Sequence, residues 1–66
     1  MSEDEPDSAQ RKQAEAVRRA CIDAALAAWE DAGISGLCAE GRWEIAIQAM
    51  RELEVETVLR TAQGDT

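Results

Sequence analysis

The fold is decided by the stretch Ala32-Gly33-Ile34-Ser35-Gly36-Leu37-Cys38-Ala39-Glu40-Gly41-Arg42-Trp43, in which three of the four glycines of the chain fall within nine residues. Before and after this stretch, apolar residues recur at the three- and four-residue spacing of an α-helix. A chain that reverses direction here brings two apolar helical faces together. The sequence therefore predicts an all-α fold built as a helical hairpin.

Helix 1 is predicted over about residues 8–40. Its apolar positions form two adjacent lines, Val17, Cys21, Ala24 and Ala28, and beside them Ile22, Ala25, Leu26 and Trp29. Alanine is frequent and no proline interrupts the segment, so intrinsic helix propensity agrees with the spacing. We expect a long helix with one line of small residues and one line of bulky residues.

The end of helix 1 has two interpretations. In the first, the helix stops before Gly33, which adopts the left-handed C′ conformation, and Ser35 caps a short new helix. In the second, the helix continues to Glu40, because the spacing persists and an interior glycine costs only about 1 kcal/mol relative to alanine. We favour a helix that is kinked or interrupted at 33–36, with the reversal at 40–42.

A second amphipathic helix is predicted over about 42–53, and a short third helix over 55–61. The apolar face of the second helix consists of Trp43, Ile45, Ala46, Ile47, Ala49, Met50 and Leu53. Arg42 is predicted to face water. In the third helix, Val55, Val58 and Leu59 continue the helical spacing.

Length and charge indicate one acidic domain. Residues 8–60 are predicted to form it, residues 1–7 a disordered acidic tail, and residues 61–66 a flexible tail. The formal net charge of −7 favours solubility and disfavours contact with nucleic acid or an anionic membrane. No segment approaches the roughly 20 apolar residues of a membrane span, so we expect a cytoplasmic location.

The composition argues against an enzyme. The chain contains no histidine, which is the commonest general base and metal ligand, and no tyrosine. Ser8 and Ser35 have no histidine to activate them and are explained as helix caps. The acidic residues beside the glycines lack the alternating Asp and Asn of a calcium loop. We expect no catalytic residue, no cofactor and no metal site.

Cys21 and Cys38 are the two cysteines of the chain. On an unbroken helix they would lie about 25 Å apart, too far to bond or to share a metal, whereas a break at Gly33 would let them approach. The simpler interpretation is that they are thiols packed as small apolar side chains. A thiol-based redox or metal sensor that uses Cys38 with Cys21 is the alternative.

The helices bring few large apolar side chains to a core, and domains of this length are marginal on their own. We therefore expect a homodimer resembling a four-helix bundle, or binding to a larger protein. The predicted partner interface consists of Ile22, Leu26, Trp29, Leu37, Trp43, Ile47 and Met50.

A basic block lies near the start of helix 1, where Arg11, Arg18 and Arg19 gather with Lys12 on about one side. Pairing with Glu15 or with the acidic tail is the simpler interpretation. The functional interpretation is a contact with an anionic surface on a partner protein.

Together these features predict a non-catalytic protein–protein interaction module, a small accessory, adaptor or regulatory protein that acts through an apolar helical face. The alternative is a small structural subunit docked on a larger enzyme complex.

Overall fold

The computed structural model describes residues 8–62, and this part of the chain forms three α-helices and no strand. Helix α1 spans Ser8–Ile34, α2 spans Ala39–Arg51 and α3 spans Val55–Ala62. The predicted all-α class is confirmed. The predicted tail at 1–7 and residues 63–66 of the tail predicted at 61–66 lie outside the described residues, whereas Thr61 and Ala62 belong to α3.

Helix α1 ends six residues earlier than predicted, through a Schellman motif. Gly36 takes the left-handed C′ position with φ of 95°. The amide of Leu37 donates to the carbonyl of Ala32, and the amide of Gly36 donates to the carbonyl of Gly33, both at 3.0 Å. These two bonds satisfy carbonyls that the end of the helix leaves free. Gly33 therefore lies inside α1, so the first interpretation, in which the helix stops before it, is wrong. The second, a helix that continues to Glu40, is also wrong. The favoured interruption at 33–36 is found at its second half, since α1 ends at Ile34 and Gly36 takes the positive φ.

The reversal occupies 35–38 rather than the predicted 40–42. Cys38 is the N-cap of α2, with extended dihedral angles of φ −76° and ψ 173°. Its carbonyl accepts the first bond of the helix, from the amide of Arg42 at 2.9 Å. The cap is thus Cys38 and not Ser35, and residues 40–42 form the first turn of α2.

The connection from α2 to α3 is a three-residue break. Glu52 is the C-cap of α2, and its amide donates to the carbonyl of Gln48 at 3.0 Å. The side-chain amide of Gln48 also donates to the Glu52 carboxylate at 2.7 Å. The amide of Val58 then donates to the carbonyl of Glu54, which begins α3. The predicted second and third helices are found within three residues of their expected bounds.

Helices α2 and α3 both pack against α1. The Cα atoms extend over 48 × 31 × 14 Å, and their radius of gyration is 15.2 Å. A compact domain of this length has a radius of gyration of about 11 Å. The chain is therefore much more extended than a globular domain of its size.

The three helices enclose almost no core. Among residues 8–62 only Ala32 and Ala46 are buried, and no large side chain in this range is fully buried. Ala32 lies in α1 and Ala46 in α2, so the close approach of these two helices is made by small residues. The large apolar side chains lie around this contact and remain at least partly open to solvent.

Candidate protein-interaction surface

Four of the seven predicted interface residues are exposed in the single chain. The exposed fractions are 61% for Trp43, 57% for Leu26, 50% for Ile22 and 42% for Leu37. The other three, Trp29, Ile47 and Met50, are half-buried. Isolated exposed apolar residues are common on protein surfaces, so the arrangement of these side chains matters more than their number.

Ile22, Leu26 and Trp43 lie on one side of the α1–α2 pair. At about 100° per residue, Ile22 and Leu26 are turned by roughly 60° to 120° from the contact line through Ala25 and Ala32. Trp43 is turned by roughly 60° in the same sense from Ala46 on α2. Because α1 and α2 run antiparallel, rotations of the same sense point to the same side. We call these three residues the apolar surface.

The apolar surface is bordered by charge on α1. A shallow depression around Ile22 is lined by side chains of both signs, Glu15, Arg18, Arg19 and Asp23. Arg18 pairs with Glu15 at 3.5 Å, one turn away, and both side chains are exposed. An exposed pair at this spacing adds little to stability. The depression therefore offers charged groups beside an apolar centre.

Arg42 fixes the position of α2 against α1, and the sequence analysis missed this role. Its Nε–H group donates to the backbone carbonyl of Trp29 at 3.0 Å, and its guanidinium carbon lies 4.3 Å from the centroid of the Trp29 ring. The guanidinium also lies over Gly33, where an added Cβ atom would come within 2.5 Å of it. The prediction that Arg42 faces water is wrong, because Gly33 leaves room beside the indole.

One signal in the sequence could have pointed to this contact. Trp29 and Gly33 are four residues apart, so they are neighbours on one face of the helix. A glycine beside an aromatic ring makes a shallow notch, and arginine is the cation that stacks on such rings most readily. Periodicity alone does not reveal which cation fills the notch.

A second groove lies between α1 and α3. Small residues of α1, Ala16 and Ala20, line it together with Val58 and Thr61 of α3, and Arg19 lies at its rim. The groove is apolar and wide open to solvent, and it shows that α3 covers the first half of α1 incompletely.

Cys38 is an exposed thiol at the start of α2. The backbone N–H groups of Gly41 and Glu40 lower the pKa of this thiol below its ordinary value. The sulfur does not make a capping hydrogen bond, so the effect is that of nearby N–H dipoles at a helix N-terminus.

Cys21 does not join Cys38 in a common site within one chain. Both cysteines are free, and Cys21 is half-buried in the middle of α1. Thirteen helical steps separate it from Ile34, about 20 Å along the helix axis, and Cys38 follows just after that end. A disulfide requires Cα atoms within about 7 Å. The early break in the helix thus fails to bring the thiols together.

The basic block lies along the exposed side of α1, where Arg11, Lys12, Arg18 and Arg19 are all open to solvent. The pair between Arg18 and Glu15 agrees with the simpler interpretation of part of this block. The proposed pairing with the acidic tail involves residues 1–7, which lie outside the described residues.

Within residues 8–62, no group of three or more Cys, Asp or Glu side chains is arranged to hold a metal ion. No helix in the same range has the length and apolarity needed to cross a membrane. Comparison of the chain with known protein families, with curated proteins and with solved structures found no match.

Proposed function

We propose that this chain is a non-catalytic protein–protein interaction module, a small accessory, adaptor or regulatory protein. Its apolar surface, formed by Ile22, Leu26 and Trp43, contacts another polypeptide. The observation that carries this proposal is the exposure of large apolar side chains in a chain that buries only Ala32 and Ala46 among residues 8–62.

The energetics of burial support a protein partner. Full burial of one such large apolar side chain stabilises a complex by about 1.5–3 kcal/mol, so covering the three residues offers several kcal/mol. Tryptophan is the residue type most enriched among those that dominate binding energy. Trp43 is 61% exposed and directly follows the first turn of α2, where it is accessible to a partner.

A contact between the two main helices lies next to the apolar surface. The hydrogen bond and the ring contact between Arg42 and Trp29 fix the first turn of α2, and Trp43 is the next residue along the chain. A partner that meets a preorganised surface loses less conformational entropy on binding. The position of the Arg42–Trp29 contact beside the exposed Trp43 indole thus favours a role of this surface in binding a partner.

The proposal is tested by a photo-crosslinking amino acid placed at Leu26 and, in a control chain, at Ile34. Ile34 is an apolar residue of the same helix that is 85% exposed, and it lies away from the apolar surface. We expect a crosslinked protein from the Leu26 chain, expressed in the native host, and none of comparable yield from the Ile34 chain. Equal yields at the two positions, or no product at Leu26, would contradict the proposal.

A further inference from the structure

We infer that the apolar surface binds a second copy of this chain, with the two α1 helices antiparallel about a two-fold axis that crosses the apolar surface at the level of Ala24 along the helix. This inference rests on the proposed function, which requires only that some polypeptide covers the surface. It adds the identity of the partner and its orientation. Three observations carry it: the charge distribution along α1, the position of the apolar residues, and the small core of the single chain.

The charges of α1 are divided between its two halves. Residues 8–21 carry four cations and one anion, which is a net +3, whereas residues 22–34 carry three anions and no cation, which is −3. A parallel pair of α1 helices would place like charges together. An antiparallel pair places the positive half of each helix on the negative half of the other, so the orientation follows from Coulomb attraction.

This division opposes the dipole of the helix itself. The first turn of α1 contains no acidic residue and its last turn no basic residue, although acids favour the N-terminal end and bases the C-terminal end. A local rule broken along a whole helix calls for a compensating interaction elsewhere. An antiparallel second copy provides one, because each end of α1 then faces the complementary charge.

The apolar residues lie where a two-fold axis needs them. Ile22 and Leu26 are each two residues from Ala24, so the axis brings Ile22 of one copy to Leu26 of the other. Arg19 lies five residues before Ala24, and Glu30 lies six residues after it. Both lie on the same side of the line through Ile22 and Leu26. In an antiparallel pair of α1 helices, this side of one helix adjoins the same side of the other. Arg19 of each copy therefore approaches Glu30 of the other.

The small core is the third observation. Domains pack their helices around a common hydrophobic core, whereas only Ala32 and Ala46 are buried among residues 8–62 of the single chain. The proposed pairing also places the two α2 helices on the same flank. The α1 and α2 helices of both copies then form a two-layer four-helix bundle in which each Trp43 is covered by the other copy.

The test uses charge reversal at the two positions that meet. Sedimentation of the full chain at low salt is expected to give a dimer, and Arg19→Glu and Glu30→Arg alone are each expected to raise the dissociation constant about tenfold. Arg60→Glu on α3 changes the charge as Arg19→Glu does and leaves the dimer intact. Circular dichroism confirms that each variant keeps its helices.

An equimolar mixture of the Arg19→Glu and Glu30→Arg chains is the decisive sample. In the mixed dimer, both contacts pair a glutamate with an arginine, so the mixture forms a heterodimer as tight as the original dimer. The chain that carries both substitutions also regains dimerisation. If the mixture dissociates as readily as either variant alone, the antiparallel arrangement is wrong.

The outcomes separate this inference from the proposed function. If the unmodified chain sediments as a monomer throughout the micromolar range while the crosslinker at Leu26 captures a different protein, the second copy is excluded and the interaction module stands. If the chain is monomeric and Leu26 yields no crosslinked product, both are overturned.

Discussion

Arg42 and Trp29 join the two main helices by a contact that uses both the backbone and the ring of the tryptophan. The Nε–H group of Arg42 donates to the Trp29 carbonyl at 3.0 Å, and the guanidinium carbon lies 4.3 Å from the centroid of the indole. A cation over an indole at this distance contributes about 0.5–1 kcal/mol when partly exposed, and the hydrogen bond contributes a similar amount. In a chain that buries so little apolar area, this contact is a substantial part of the hairpin's stability.

The first prediction concerns the coupling between Gly33 and Arg42. Alanine at 33 improves helix propensity by about 1 kcal/mol, but its Cβ displaces the guanidinium from Trp29. We expect Gly33→Ala to raise the free energy of unfolding by about 1 kcal/mol when Arg42 is alanine, whereas in the original chain the lost contact of about 1–2 kcal/mol cancels or exceeds this gain. Urea unfolding of the four chains at one protein concentration measures this coupling. Additive effects of the two substitutions would show that the side chain of Arg42 does not depend on the space at Gly33.

The second prediction concerns the turn at Gly36, whose φ of 95° is unfavourable for any L-residue with a side chain. No neighbouring atom lies within 4 Å of an added Cβ atom, so the cost of a substitution is conformational and not steric. We expect Gly36→Ala to lower the free energy of unfolding by about 1–2 kcal/mol. D-Alanine at 36, introduced by peptide synthesis, favours positive φ and should restore stability. Equal loss with both enantiomers would contradict this explanation.

The third prediction concerns thiol reactivity. Because the amides of Gly41 and Glu40 lower the pKa of Cys38, its thiolate fraction is higher at neutral pH than that of an ordinary thiol. Cys38 is also exposed, whereas Cys21 is half-buried. We expect iodoacetamide to alkylate Cys38 before Cys21, with a rate that rises with pH and levels off below the ordinary thiol pKa. Peptide mass mapping of the native chain gives the order, and equal rates after unfolding in urea provide the control.

The lowered pKa of Cys38 also makes the free energy of unfolding depend on pH. Between the folded and unfolded pKa values of Cys38, the unfolded chain binds more protons, so the free energy of unfolding increases as the pH rises through that window. The increase stops above the ordinary thiol pKa, where both states are deprotonated. Cys38→Ser removes this component, and an identical pH profile for the two chains would argue against it.

The fourth prediction concerns the apolar surface. Leu26 is 57% exposed, so its replacement by glutamine removes little intramolecular packing and hardly changes helix propensity. We expect Leu26→Gln to raise the dissociation constant of the dimer at least about tenfold, since one leucine from each copy leaves the interface. Ile34→Gln, at a more exposed apolar position outside the surface, should leave sedimentation unchanged. Similar weakening by both substitutions would indicate nonspecific association.

The sequence alone determined the all-α class and the approximate bounds of α2 and α3. Helical spacing, alanine content and the absence of internal proline act over a few residues, so they can be interpreted without knowing what packs against what. The same local pattern identified Ile22, Leu26 and Trp43 as apolar positions on helices. Their role in binding a partner stays a prediction, since it depends on a surface of another molecule.

The tertiary structure decided which glycine ends α1 and where Arg42 lies. Local sequence rules do not distinguish Gly33 from Gly36, because either glycine could adopt positive φ. In the structure, Gly33 lies inside α1 where a Cβ atom would meet the Arg42 guanidinium that reaches Trp29, and Gly36 is the C′ residue. Such a choice rests on contacts between residues nine or more positions apart, and helical periodicity carries no information on them.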